Sequence, residues 1–185
     1  ISVGNWKETV LPVAQQLKQS LEQAEFRVIL DDRTEYTPGW KFSEWEMRGV
    51  PLRLEVGPKD IKAGQVIAVR RDTMDKASIN ITGVETRVKE LLVDIQKAMF
   101  DRALTFQKEN TREVFGYQEF KETIERKRGL VKTFWCGGED CEARIKEETM
   151  ATIRVIPLNP KDAVKGQCIC CQKEAKTEVI FARAY

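Results

Sequence analysis

The chain has 185 residues, 42% of them hydrophobic and 32% charged, and no apolar run approaches the ~20 residues of a membrane span. Its 31 basic and 29 acidic residues leave a net charge of only +2, so a nucleic-acid surface would have to be a local feature. There is no histidine. That excludes Ser-His-Asp and Cys-His nucleophilic catalysis within the chain, along with His-mediated proton transfer and His-ligated metal. No Gly-rich phosphate loop is present either.

In chain order, Val13, Leu17, Leu21 and Ala24 recur at helical spacing and predict a first helix from about Leu11 and Pro12 to Ala24. The continuous apolar run Phe26 to Leu30 predicts a buried parallel strand ending in the polar Asp31-Asp32-Arg33. Thr37 as N-cap and Pro38 at the first helical position open a short helix that Gly49 closes and Pro51 keeps from extending. Leu52 to Val56 alternates as a strand, with Arg53 and Glu55 facing away from the core side. Gly57 to Asp60 is expected as a turn, Gln65 to Arg71 as a strand and Asp72 to Lys76 as a polar turn. A long helix starts at the capping-box pattern Thr82 to Glu85, with Val84, Val88, Leu91, Leu92, Ile95 and Met99 as its apolar stripe.

This alternation predicts an α/β domain over residues 1–100 with a mostly parallel sheet. The opening ISVGNW reads as a loop leaving a strand further upstream. Residues 101–129 read as a charged helical connector. Residues 130–185 read as a small α+β domain: a strand into Cys136, a helix over Cys141 to Thr149, strands at Thr152 to Ile156 and Glu178 to Ala182, and a second cysteine pair.

Four cysteines carry the clearest chemistry. Cys136 and Cys141 form one close pair, Cys168 and Cys171 another, with 26 residues between the pairs to fold the halves together. Four thiolates fill a tetrahedral zinc ion and leave no position for water or substrate, so such a site holds a fold together. A module of about 55 residues has little core of its own and benefits from a clamp. Two alternatives fit less well. A disulfide framework needs an oxidising compartment, yet no signal peptide is apparent and the first 130-odd residues contain no cysteine. A redox C-x-x-C pair wants a helix start after a strand, whereas Cys168 sits in a Gly/Gln-flanked, hairpin-like stretch. Cys170 competes with Cys171 as fourth ligand. Two intervening residues favour Cys171, by letting backbone N–H groups point at the first sulfur, although the glycine that usually follows such a knuckle is here Gln172.

Two segments, DDRTEYTPGWKFSEWEMRGVPLRLEVGPKD at 31–60 and WCGGEDCEARIKEET…CICCQKEAK…FARAY at the end, resemble the C-terminal half of the prolyl-tRNA synthetases of archaeal and eukaryotic type. The resemblance covers almost the whole chain. It implies an anticodon-binding domain followed by the family's C-terminal zinc domain, in a homodimeric, cytoplasmic class II enzyme whose catalytic domain lies outside these residues. That domain would use ATP and magnesium to make prolyl-adenylate and charge tRNA(Pro). A membrane or DNA partner is not expected.

The resemblance also implies anticodon contacts at Phe42, Glu46, Arg53, Lys59, Asp60 and, less directly, Lys76. The residue types suit the task. A guanine in an unpaired loop shows N1 and N2 donors beside an O6 acceptor, so a carboxylate together with a Lys or Arg reads it. Phe42 and Glu46 are four apart on one helix and share a face. The blander alternative makes Phe42 and Trp45 core residues and the charges a solvated face; Trp40 and Trp45 are read as packing residues in either case. The C-terminal carboxylate of Tyr185 either reaches toward the catalytic domain, as the family implies, or frays. A stand-alone RNA-binding module and a protein-interaction zinc module remain as rival functions.

Overall fold

A computed structural model describes residues 5–127, 129–158 and 166–183. The expectations for the first four residues and for Tyr185 lie outside them. The chain divides into two compact units, Ile1–Asp101 and Arg102–Tyr185.

The first unit begins with helices α1 (Trp6–Thr9) and α2 (Leu11–Gln23), then α3 (Pro38–Met47) and strand β1 (Leu52–Glu55). Helix α4 (Pro58–Lys62), strands β2 (Gln65–Arg70) and β3 (Lys76–Asn80) and helix α5 (Val84–Glu109) follow. The strands lie in the order β1-β2-β3. One face of this sheet contributes Val66, Ala68 and Ile79 to the core, where they meet Leu17 and Leu21 of α2 and Val84, Val88 and Leu91 of α5. The helical periodicities therefore predict the buried stripes correctly, although Met99 at the stripe's end is exposed.

The unit is α/β as expected, but its ladders are not parallel: β1–β2 and β2–β3 both pair antiparallel. The reason lies in two segments. Lys76–Asn80, expected to finish a turn and lead into a helix, is an edge strand in which only Ile79 is buried, so its polar sequence hid it. Phe26 to Leu30 joins no ladder among the described residues. Phe26 and Val28 pack on the core while Ile29 is 67% exposed. A short apolar run does not distinguish burial on both faces from burial on one. The expected turn at Gly57 to Asp60 is the start of α4, because Pro58 supplies the first helical φ and Asp60 Oδ2 accepts from the Gly57 N–H at 3.0 Å. At the start of α5 the Glu85 carboxylate accepts from the Ser20 hydroxyl.

In the second unit, strand β4 (Thr111–Glu113), helix α6 (Tyr117–Glu122) and a π-helical turn (Thr123–Lys127) precede β5 (Leu130–Trp135). Helix α7 (Glu139–Thr149), β6 (Ala151–Val155) and β7 (Thr177–Arg183) complete it. The sheet order is β4-β5-β7-β6; β4 and β5 are parallel and the other ladders antiparallel. Residues 111–127, expected as a connector, thus supply a strand, and Val114, Phe120 and Ile124 to the core. Charge density concealed them, because Phe120 and Ile124 each stand alone among polar residues and Val114-Phe115 is too short a run to mark a core element. Phe120 is fully buried and meets the Phe181 ring edge-on at 5.3 Å. Phe120→Ala is expected to destabilise the second unit by about 3–5 kcal/mol, read from its urea midpoint; a change below 1 kcal/mol would return this segment to the role of a linker.

Candidate nucleic-acid surface and metal centre

Helix α3 is anchored by a carboxylate of the segment before it. Asp31 accepts from Arg33 Nε and Nη2 at 2.9 and 2.7 Å, from Trp45 Nε1 at 2.8 Å, and lies 3.6 Å from the Nζ of Lys41, which is itself buried. Arg33 also reaches Glu44 at 2.5 Å. The Arg33 guanidinium holds the Asp31 carboxyl well below the ordinary carboxylate range, against an upward push from burial, and Trp45 and Lys41 add to the lowering. Trp45 is thus a packing residue as expected, whereas Trp40 is 46% exposed and stacks on Tyr36 with centroids 3.9 Å apart.

On the sheet face turned away from the core, β1 presents Arg53 and Glu55, as strand alternation requires. Arg53 Nη1 donates to Glu46 of α3 at 2.5 Å. Its Nε donates to Glu55 Oε1 at 3.1 Å, its Nη2 lies 3.0 Å from the same oxygen as an ion pair, and its guanidinium lies 4.1 Å from the centre of the Phe42 ring. Lys76, the first residue of β3, stands 3.5 Å from Glu55 Oε2. Register explains the assembly: Arg53 pairs across β2 with Val69, and Val69 with Lys76, so the two cations fall in one cross-strand row. Of the residues singled out in the sequence, Phe42 and Glu46 therefore meet at Arg53, and Arg53 and Lys76 meet at Glu55, which strand alternation places on this face without a role. Among the described residues Lys59 and Asp60 take no part in this network: Lys59 is exposed on α4, and Asp60 caps that helix.

In the second unit Cys136, Cys141, Cys168 and Cys171 gather so that all four sulfurs lie within 4.8 Å of one another. The Cys136 sulfur is 3.6 Å from that of Cys141 and 3.7 Å from that of Cys171. A tetrahedral ion with metal–sulfur bonds near 2.3 Å puts its ligands about 3.8 Å apart, so the donor set suits such an ion. The end of β5 delivers Cys136 and the first turn of α7 delivers Cys141. Cys168 and Cys171 come from a tight hairpin closed by Cys168 N–H to Lys173 O at 2.8 Å and Gln172 N–H to Cys168 O at 3.0 Å. Gln172 adopts φ 60°, the conformation a glycine usually supplies after such a knuckle, at a cost of about 1–2 kcal/mol. The hairpin sits directly on β5: a Cβ on Gly166 would fall 2.3 Å from the Phe134 ring.

Burial pushes the Cys136 and Cys141 thiols up, and that of Cys170 likewise. At Cys168 burial also pushes upward, but the backbone N–H groups of Cys171, Cys170 and Cys136 outweigh it and bring the thiol down to about 7. Cys168 is thus the sulfur best prepared to bind as thiolate. Cys170 turns the other way and packs against the second unit's core, which leaves Cys171 as the fourth sulfur.

The first unit thus carries a cation–carboxylate–aromatic group on a sheet with helices, and the second a four-cysteine cluster. The model of the anticodon binding domain matches residues 1–91, and that of the prolyl-tRNA synthetase C-terminal domain matches residues 117–185. The chain is 46% identical to a proline–tRNA ligase of Natranaerobius thermophilus, over 97% of this chain and 37% of that protein. It is 43% identical to one of Lachnospira eligens, over the whole of this chain and 38% of that protein. A crystal structure of the prolyl-tRNA synthetase of Cryptosporidium parvum, complexed with L-proline and AMP, superposes with a TM-score of 0.84 at 34% identity, covering 96% of this chain and 38% of that one. The chain belongs to the prolyl-tRNA synthetase family, as a C-terminal part spanning just over a third of the relatives' length. No described helix is long and apolar enough to cross a membrane.

The Asp31 anchor gives the first unit an acid sensitivity. A carboxylate whose folded pKa lies below its unfolded value of about 3.8 contributes stability that is complete above that value and fades as pH falls beneath it. Asp31→Asn is expected to cost about 2 kcal/mol at neutral pH, and clearly less at pH 3, in urea unfolding of the first unit. An equal cost at both pH values would show that Asp31 acts through its shape.

Proposed function

We propose that this chain is the part of a proline–tRNA ligase that reads the anticodon of tRNA(Pro). Activation of proline by ATP with magnesium would fall to the remainder of the relatives' length, and the parent enzyme would act as a cytoplasmic homodimer. The observation that carries the reading is the group Phe42, Glu46, Arg53 and Lys76, drawn from α3, β1 and β3 onto one surface of a unit that matches an anticodon-binding domain. Proline anticodons end in two guanines. Arg53 occupies Glu46 Oε1 and leaves Oε2 to accept from a guanine N1 and N2 edge, while Lys76 supplies positive charge toward O6 or the backbone. The Phe42 ring offers a face on which an unstacked base would rest. Lys59 and Asp60 belong to the reading through family resemblance, as further contacts from α4.

In this reading Glu46→Gln keeps the shape but turns one acceptor toward a donor. Good bidentate base contacts are worth about 1–3 kcal/mol, so charging of tRNA(Pro) by the full enzyme should fall roughly 5- to 150-fold. The difference between that tRNA and one with an anticodon guanine changed to adenine should shrink. An unchanged difference at both guanines would remove Glu46 from the anticodon site.

The metal in the cysteine cluster is proposed to be one zinc ion, held by Cys136, Cys141, Cys168 and Cys171 and purely structural, since four thiolates leave no open position. Thiolate zinc sites contribute apparent free energies of ~10–16 kcal/mol at neutral pH. A chelator should therefore unfold the second unit while the melt of the first persists. Metal analysis should find one zinc per chain, lost in Cys171→Ser and retained in Cys170→Ser; the opposite pattern would exchange the two ligands.

A further inference from the structure

Glu55 is a carboxylate only 8% exposed, in a strand whose neighbouring positions serve the anticodon group. Burying a carboxylate is costly unless charges and hydrogen bonds surround it. Glu55 has both: its Oε1 accepts from Arg53 Nε with Nη2 3.0 Å away, and its Oε2 faces Lys76. The Arg53 guanidinium is thereby held on three sides, by Glu55 against Nε and Nη2, by Glu46 through Nη1, and by the Phe42 ring beneath its face. Two of its nitrogens donate within the protein, the third is ion-paired, and its side chain is 16% exposed. Arg53 is therefore poorly placed to spend its fork on a base edge. It is well placed to fix the plane of the Glu46 carboxylate.

We propose that Glu55 is a positioning residue for anticodon discrimination: it clamps Arg53 so that Arg53 meets Glu46 through a single N–H and leaves the second carboxylate oxygen of Glu46 free for a guanine. This rests on the anticodon-reading role given to Glu46 above. Without the clamp, Arg53 is released to grip Glu46 with both Nη groups or with Nε and one Nη, the bidentate geometry that Arg–carboxylate pairs favour. Both oxygens of Glu46 would then face the arginine, and the base would meet a carboxylate already satisfied. Lys76 would lose its partner in the same event. The role of Glu55 is thus to keep an ion pair deliberately incomplete.

The test uses the full-length enzyme carrying Glu55→Gln, Glu46→Gln and both together. The substrates are the tRNA(Pro) transcript and the transcripts with either anticodon guanine changed to adenine. Glu55→Gln is expected to raise KM for tRNA(Pro) by about 5- to 30-fold, the size of a coupling within one ion-pair network, with kcat within twofold. Proline-dependent exchange of pyrophosphate into ATP, which involves no tRNA, should not change. Discrimination against the adenine variants should narrow, and the double variant should lose no more discrimination than Glu46→Gln alone. Because Glu55→Gln could also lower the melting temperature, the cycle decides the matter at a temperature where all four proteins are folded: a merely structural role gives losses that add in the double variant, and that outcome overturns the proposal. If Glu46→Gln narrows discrimination and Glu55→Gln does not, the positioning role is wrong and the anticodon reading stands. If neither narrows it, the anticodon reading fails and this proposal fails with it.

Discussion

Burying a charge obliges the fold to answer it, and in the first unit that obligation organises the group around Arg53 and Glu55. Glu55 cannot be buried on its strand without cations, so β1 brings Arg53 and β3 brings Lys76 to it. Arg53, once fixed there, sets where Glu46 of α3 must stand and gives Phe42 a cation to lie under. Asp31 does the same work on neighbouring residues of α3, through Arg33, Trp45 and Lys41. The helix is thus located by two carboxylates that never meet the solvent freely, and its outward residues inherit their geometry from that constraint.

The second unit meets a different difficulty with a different device. A domain of its size has a limited core, here built around Phe120, Val131, Ile145, Val179 and Phe181. Its cysteine hairpin is joined to that core by the buried Ile169, whose N–H donates to Phe134 O at 2.9 Å, and by the Lys176 N–H to Trp135 O bond at 2.9 Å. A metal ion on the four sulfurs would add a link that hydrophobic contact alone does not supply. The left-handed Gln172 fits this view, since strain at a residue persists only where its surroundings over-determine it.

The two units thus divide labour by chemistry. One gathers charged and aromatic residues onto a single surface; the other gathers four cysteines whose sulfurs lie within 4.8 Å of one another. In the function proposed above, that division would serve recognition of an RNA loop beside a structural module.

Periodicity and spacing by themselves fixed the stripes of α2 and α5, the cap of α3 at Thr37, the outward face of Arg53 and Glu55, and the two cysteine pairs, because each depends on neighbours within a few residues. The two-residue spacing favoured Cys171 over Cys170, and it is the Cys171 sulfur that lies with the other three. Strand direction did not follow, since pairing is settled by partners distant in the chain and Lys76–Asn80 carries almost no apolar signal. Nor did the absorption of residues 111–127 into the second core, where Phe120 finds Phe181 across 61 positions of sequence. Glu55 shows the division most sharply: alternation put it on the correct face, but only the approach of Arg53 and of Lys76 from a distant strand turned an apparently solvated glutamate into a buried hub, because burial is a property of what surrounds a residue in space and its sequence neighbours do not encode it.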